Sequence, residues 1–227
     1  MEILSYITSL FWEKKCYGCG QLWHFFCPNC SQNMYIYRPY CYVCKKPSDN
    51  FTTHEKCKLE LGLKQIIVLT RYRQNGVKKV LRHAKYYWKY TAYEGVVLQH
   101  KTFFQEYVSF KNSVLMPIPM HLLRKWKRGY NQSEKIAQLL SSILDIPVNN
   151  KTIYKKKYTK NQSHLSLSQR KNNLQSSFWV RKNTINRNTT VYLIDDVIST
   201  GSTILEAAKE LQKKWFQDVR AIVLASD

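Results

Sequence analysis

Two adjacent carboxylates, Asp195 and Asp196, end an apolar run and are followed by Val197-Ile198-Ser199-Thr200-Gly201-Ser202-Thr203, a loop rich in hydroxyls. The run Val191-Tyr192-Leu193-Ile194 suits a buried strand, and Ile204, Ala207, Ala208, Leu211 and Trp215 repeat at helical spacing. The loop therefore joins a strand to a helix. Thr203 is expected to cap that helix, with Glu206 three residues on completing a capping box. Free backbone N–H groups and the positive end of the helix dipole would then face the loop, an arrangement that holds phosphate. Gly201 lets a ligand approach the backbone closely. With two carboxylates beside it, the segment reads as a cradle for a ribose phosphate. A Walker-type loop is excluded, because no Gly-Lys-[Ser/Thr] follows the glycine.

A second chemistry lies at the other end, where all 7 cysteines fall between Cys16 and Cys57. Cys16/Cys19, Cys27/Cys30 and Cys41/Cys44 each have the C-x2-C spacing that points two thiolates at one tetrahedral zinc, and His54/Cys57 supplies an imidazole and a thiolate at the same spacing. Eight ligands make two sites. Pairing neighbours closes the shorter loops, which gives Cys16, Cys19, Cys27 and Cys30 to one zinc and Cys41, Cys44, His54 and Cys57 to the other; an interleaved pairing satisfies the same spacing. An odd cysteine count argues against a disulfide framework and for a reducing compartment, so a cytoplasmic location is expected. Four protein ligands leave no open position, so both zincs are expected to be structural.

Length and charge fit two unequal units: residues 1–60, an amino-terminal helix and the two metal sites, and residues 61–227, an ordinary domain. The small unit carries mostly Tyr, Phe and Trp between its knuckles and depends on metal for stability. Met1 to Trp12 is apolar but short, with Glu2 where a signal peptide wants positive charge, so it is expected to be a helix packed on the body. No apolar stretch is long enough to span a membrane. The formal net charge is +21, and between Ile146 and Ile194 no acidic residue occurs. Such an excess attracts polyanions, whether a diphosphate or a nucleic acid.

The elements that must position these groups alternate between strand and helix. Gln65 to Tyr72 is a β-branched run, Val77 to Tyr107 is largely helical with a break expected near Gly95, and Val114-Leu115-Met116 is a strand stopped by Pro117. Asn131 is placed to cap a helix with Glu134 completing the box and Ile136, Ala137, Leu140, Ile143 and Leu144 on its apolar face. Val219 to Leu224 supplies a last strand. The alternation predicts an α/β fold, a mainly parallel sheet with flanking helices and ligands at the carboxyl ends of its strands.

The apolar strand followed by Asp195-Asp196-Val197-Ile198-Ser199-Thr200-Gly201-Ser202-Thr203 resembles the phosphoribosyl-diphosphate (PRPP) motif of type I phosphoribosyltransferases, with Ser199 where that family usually has threonine. Further segments narrow the resemblance to the ComF family, which is associated with natural competence and includes GntX-like proteins. Met116-Pro117-Ile118-Pro119 resembles its Val-Pro-Val-Pro region, and Arg124 with Arg128-Gly129-Tyr130-Asn131-Gln132-Ser133 its Arg-Gly-Phe-Asn-Gln-[Ala/Ser] signature. Gln162, Leu165, Arg170, Asn173 and Phe178 fit its spaced pattern, and the four knuckles its double zinc ribbon, with His54 in place of a cysteine.

The resemblance implies a phosphoribosyltransferase, an enzyme of pentosyl transfer in which Mg²⁺-PRPP is the donor and the acceptor is unnamed, a nucleobase being one candidate. It implies Asp195, Asp196 and Arg128 as catalytic residues, Val197 to Thr203 (Val197, Ile198, Ser199, Thr200, Gly201, Ser202, Thr203) around the 5′-phosphate, and Pro119, Met120, His121, Arg124 and Arg128 at the pyrophosphate. Lys85, Gln162, Arg170 and Asn173 are further candidates, the last three within a lid that excludes water. Single-stranded DNA and proteins of the competence machinery are the partners it adds. A non-catalytic PRPP sensor or DNA scaffold is the alternative.

Overall fold

The computed structural model describes residues 14–74, 76–86, 90–155, 177–181 and 185–227. The expected helix at Met1 to Trp12 and the candidates Gln162, Leu165, Arg170 and Asn173 lie outside the described residues. Four strands, β1 (Ile66–Arg71), β2 (Ser113–Pro117), β5 (Thr190–Ile198) and β6 (Val219–Ser226), form an all-parallel sheet in the order β1-β6-β5-β2. Their sequences are continuous apolar runs rather than alternating ones, because both faces are covered: Leu193, Ile194, Ile222 and Val223 are fully buried. A two-stranded antiparallel ribbon, β3 (Ile153–Lys155) with β4 (Phe178–Val180), lies apart from that sheet.

The helices in chain order are α1 (Pro28–Gln32), α2 (Glu55–Leu61), α3 (Val77–Tyr86), α4 (Glu94–Val97), α5 (Lys101–Tyr107), α6 (Leu122–Arg128), α7 (Gln132–Leu144) and α8 (Ser202–Lys213). Helix α7 buries Ile136, Ala137, Leu140 and Leu144 against β2 and β5, and α8 buries Ile204, Ala207, Ala208 and Leu211 against β5 and β6. Both stripes are the ones their 3.6-residue periodicity predicts. Among the described residues no helix is long and apolar enough to cross a membrane.

Two expectations need correction, while the break expected near Gly95 is present. In the largely helical stretch Val77 to Tyr107, 3-10 turns at Tyr90–Tyr93 and Leu98–His100 stand on either side of α4. Around Gly95 the reason is visible: the Ser31 hydroxyl donates to its carbonyl at 2.6 Å, and a Cβ on Gly95 would sit 2.4 Å from the Phe26 carbonyl oxygen. Thr203 does not cap α8; that helix starts two residues earlier than such a cap requires, behind Gly201, which takes a left-handed conformation with φ of 73°. Asn131 does cap α7, accepting from Ser133 N–H at 3.2 Å, but Glu134 does not close a box. Its carboxylate turns to Lys125 at 3.1 Å and Asn150 at 2.8 Å.

The amino-terminal cysteine unit is built into this body. Phe26 packs between Gly76, where a Cβ would lie 2.8 Å from its ring, and Gly95. One continuous apolar cluster takes Phe26, Met34, Tyr40 and Phe51 together with the sheet, so the units on either side of residue 60 share a core. Antiparallel bridges Ile36–Thr70 and Thr52–Gln65 cover the outer edge of β1, and a parallel bridge Leu115–Val148 covers β2. Neither outer strand presents a bare ladder to solvent.

Gly95→Ala is expected to destabilise the protein by about 1–3 kcal/mol, the cost of overpacking a filled contact. Because the core is shared, thermal unfolding followed by fluorescence and by far-UV circular dichroism should show the whole transition moving to lower temperature rather than an early partial loss.

Candidate functional site

The carboxyl ends of β5 and β2 meet at the pair Pro117–Ile194, and the hydrogen-bonded strand continues past it through both carboxylates. Successive residues of a strand point to opposite faces, so Asp195 and Asp196 diverge. Asp195 turns toward α7: its Oδ1 accepts from the Ser133 hydroxyl at 2.9 Å and from the Asp196 N–H at 2.9 Å. Asp196 turns toward α3: Lys85 Nζ stands 3.5 Å from its Oδ2, while its Oδ1 accepts from Val197 N–H at 3.0 Å. Asp196 is 3% exposed and its Oδ2 has no hydrogen-bond partner. Burial, reinforced by the neighbouring Asp196 charge, pushes the Asp195 carboxyl up to about 7 against the opposing pull of Lys85 and Ser133.

The signature at residues 128–133 now has a physical account residue by residue. Arg128 ends α6 and its guanidinium donates to the Gln132 side chain at 2.6 Å; Gly129 stops α6 with φ of 81°. Asn131 both caps α7 and donates to the Ile118 carbonyl at 3.0 Å, tying the Pro119–Met120 turn to the helix. Ser133 holds Asp195. His121 has a structural task at the start of α6, its Nδ1 accepting from Leu123 N–H at 3.3 Å.

Beyond β5, residues Asp195 and Val197 to Ile204 line a small concave pocket. The Thr200 hydroxyl accepts from Ser202 N–H at 3.4 Å and is hydrogen-bonded to the Ser202 hydroxyl, so the loop curls around its own polar groups at the start of α8. Twelve-residue α8 thus presents its N-terminal end to that pocket.

The structure adds residues that spacing did not single out. Lys155, on β3, lies deep enough beside Arg124 and Asp195 that burial, with Arg124 adding to it, lowers its ammonium to about 8. Tyr93 and Tyr130 are buried with unpartnered hydroxyls, and burial, with the Asp196 charge adding to it, raises both phenols. Tyr130 belongs to the signature at residues 128–133, whereas Lys155 and Tyr93 come to the acidic pair only through the fold.

The eight candidate metal ligands fall into two groups, Cys16, Cys19, Cys27 and Cys30, and Cys41, Cys44, His54 and Cys57, with ligand atoms within 4.8 Å of one another in each. Neighbour pairing is therefore the one the fold brings together. Zinc–sulfur bonds of about 2.3 Å at tetrahedral angles place sulfurs about 3.8 Å apart, and Cys19 Sγ and Cys27 Sγ are separated by 3.6 Å. A methyl group on Gly18 would collide with Cys30 Sγ at 2.6 Å, which explains the glycine in the first knuckle. Burial opposes ionisation of Cys16, but N–H groups of Cys19, Cys27 and Gly18 prevail and bring it down to about 6. In the second group His54 Nδ1 faces Cys44 Sγ at 3.3 Å while Nε2 donates to the Pro47 carbonyl at 3.2 Å, fixing the ring for ligation through Nδ1. The donor sets fit zinc.

Residues 129–227 match the phosphoribosyl transferase domain family. Competence protein F of Haemophilus influenzae is 37% identical over 115 residues, covering 49% of this chain and 49% of the relative. DNA utilization protein YhgH of Salmonella typhi is 33% identical over 114 residues, covering 47% and 49%. Competence protein ComFC of Bacillus subtilis is 25% identical over 209 residues, covering 89% of this chain and 79% of the relative. The match thus spans about half the length of the Haemophilus and Salmonella relatives and most of the Bacillus one. The parallel sheet with its flanking helices is the type I phosphoribosyltransferase fold.

Two outcomes are expected. Metal analysis of the purified chain should give close to two zinc ions, and His54→Ala should lower the count toward one. Asp195→Asn should raise the melting temperature at pH 8 and change it little at pH 4. With its native pKa raised to about 7, Asp195 keeps a proton in the folded state that the unfolded chain releases near pH 4, so its contribution to stability falls as pH rises between those values. Asparagine removes that loss; each 1 kcal/mol recovered is worth roughly 2–4 °C in a chain of this size.

Proposed function

We propose that this competence-protein homologue with a phosphoribosyltransferase domain binds Mg²⁺-PRPP and transfers its phosphoribosyl group to an acceptor, with a nucleobase as the candidate class. The observation that carries the reading is the pairing of a helix-capped hydroxyl loop, Ser199 to Thr203, with a partly exposed carboxylate, Asp195, held by Ser133. The loop takes the 5′-phosphate through backbone N–H groups and hydroxyls. Asp195 faces the ribose as its anomeric carbon becomes cationic, a charge that a preorganised carboxylate stabilises more in the transition state than in the ground state. Arg124 and Lys155 lie near Asp195 and, with Arg128, would balance the departing pyrophosphate. Asp196, buried against Lys85, sets the field behind the pair rather than meeting solvent.

Carboxylate oxygens suit a hard divalent cation, and Asp195, which lines the pocket beside the hydroxyl loop, fits that donor chemistry. Bound Mg²⁺ would neutralise diphosphate charge as the bond to the leaving group breaks. Binding and turnover separate by mutation. Asp195→Asn should retain most PRPP affinity by calorimetry yet lose on the order of 10²–10³ in Mg²⁺-dependent pyrophosphate release. A chain that binds PRPP but releases no pyrophosphate with any nucleobase would be a sensor; one that binds no PRPP would end both readings.

One feature favours a second reading, a scaffold for single-stranded DNA. Helix α6 carries Trp126 at 88% exposure among Arg124, Lys125, Lys127 and Arg128, a stacking ring within a cluster of phosphate-binding cations. The relatives' names, with their references to competence and DNA utilization, agree with it. Binding to a labelled oligonucleotide should then fall steeply with salt and depend little on sequence, and Trp126→Ala should weaken it. Absence of binding at low salt would remove this reading.

A further inference from the structure

The knuckle Cys41-Tyr42-Val43-Cys44 carries, between two ligands of the second metal group, a tyrosine that reaches across the fold. Its hydroxyl donates to the carbonyl of Ser199 at 2.6 Å, a contact between residues 157 apart in sequence. Ser199 opens the hydroxyl loop. The ring of the same tyrosine lies beneath that loop: a Cβ on Gly201 would be 3.8 Å from Tyr42 Cε1 and 3.6 Å from Ile198 Cδ1. Tyr42 is held from its other side as well, with Lys45 Nζ 3.7 Å from the ring centroid and Lys45 at the turn that closes the knuckle, where its N–H donates to the Cys41 carbonyl at 2.9 Å.

These contacts have a directional logic. A phosphate loop binds through its N–H groups, and each of those N–H vectors is set by the peptide plane that carries it. The Ser199 carbonyl belongs to the peptide unit that supplies the Thr200 N–H, so a donor on that oxygen fixes the plane and with it one N–H vector. The far end of the loop is fixed by Gly201 and α8; on the strand side, Asp227 N–H donates to the Ile198 carbonyl at 3.1 Å. Tyr42 holds the peptide between these two anchors. Its own position depends on a four-residue knuckle whose ends are Cys41 and Cys44, groups that a shared metal would hold together against the mutual repulsion of thiolates.

We propose that Tyr42 is a positioning residue for the phosphate loop, and that through it the metal held by Cys41, Cys44, His54 and Cys57 sets how well the loop binds a 5′-phosphate. The proposal rests on the reading of Ser199 to Thr203 as the phosphate loop. It gives the second metal group a task beyond stability, because metal loss or thiol oxidation there would loosen the loop 157 residues downstream.

Amide hydrogen exchange and PRPP calorimetry on the full-length, zinc-loaded chain test it. Tyr42→Phe keeps the ring and removes only the hydroxyl. It should speed exchange at Thr200 to Thr203 while leaving the β2 amides of Val114 to Met116 unchanged, and it should weaken PRPP roughly 3–10-fold, the worth of one hydrogen bond. His54→Ala should speed exchange at the same loop amides, His54→Cys, which restores a fourth ligand, should return them to wild-type rates, and combining Tyr42→Phe with His54→Ala should add nothing further at the loop. Unchanged loop exchange in Tyr42→Phe would overturn the proposal, as would full additivity in the double variant. If exchange responds as described but the wild-type chain binds no PRPP, the positioning link stands and the phosphate reading fails; if PRPP binds and loop exchange is indifferent to Tyr42, the reverse holds.

Discussion

A parallel strand that stays hydrogen-bonded through two consecutive carboxylates sets most of the demands on this fold. Taking Asp195 and Asp196 partly or wholly out of water is unfavourable, and strand geometry points them to opposite faces. Each face of the sheet must therefore supply its own. Helix α7 brings Ser133 to Asp195, and α3 brings Lys85 to Asp196. The positions of both helices follow from this as much as from their apolar stripes. The remaining mismatch is stored at the site, in a carboxyl group pushed up to about 7, where charge from a ligand can use it.

Much of this was legible because the decisive segments are local. The apolar run at Val191, the stripe from Ile204 to Leu211 and the Asn131 cap are patterns within a few residues of one another, and they report the strand, α8 and α7 directly. The knuckle spacing did the same for both metal groups. The caps failed where a backbone conformation replaced a side chain: Gly201 starts α8 without any capping oxygen, and Glu134 had stronger claims on it from Lys125 and Asn150. Helix α6 carried no readable period, since Leu122, Leu123 and Trp126 are exposed rather than turned to a core. Lys155, Tyr93 and Tyr42 were invisible for a simpler reason, as their partners are distant in the chain.

The amino-terminal unit illustrates how metal ligation substitutes for a core. Its residues include few aliphatic side chains, yet Phe26, Met34, Tyr40 and Phe51 join the apolar cluster of the larger domain, so ligation has to fix loops and the body supplies the burial. Glycines mark where the two surfaces come closest. Gly76 and Gly95 leave room for Phe26, and Gly18 leaves room for a ligand sulfur.

The bridges from Ile36 and Thr52 onto β1 carry a consequence for the newly made chain. They come from segments just before and within the second metal group, so without the order that group brings the outer strand Ile66–Arg71 would present an open row of N–H and carbonyl groups on an apolar, β-branched sequence. Such an edge pairs readily with copies of itself. Ordering of the second metal group would then close this edge before copies of the chain could pair along it.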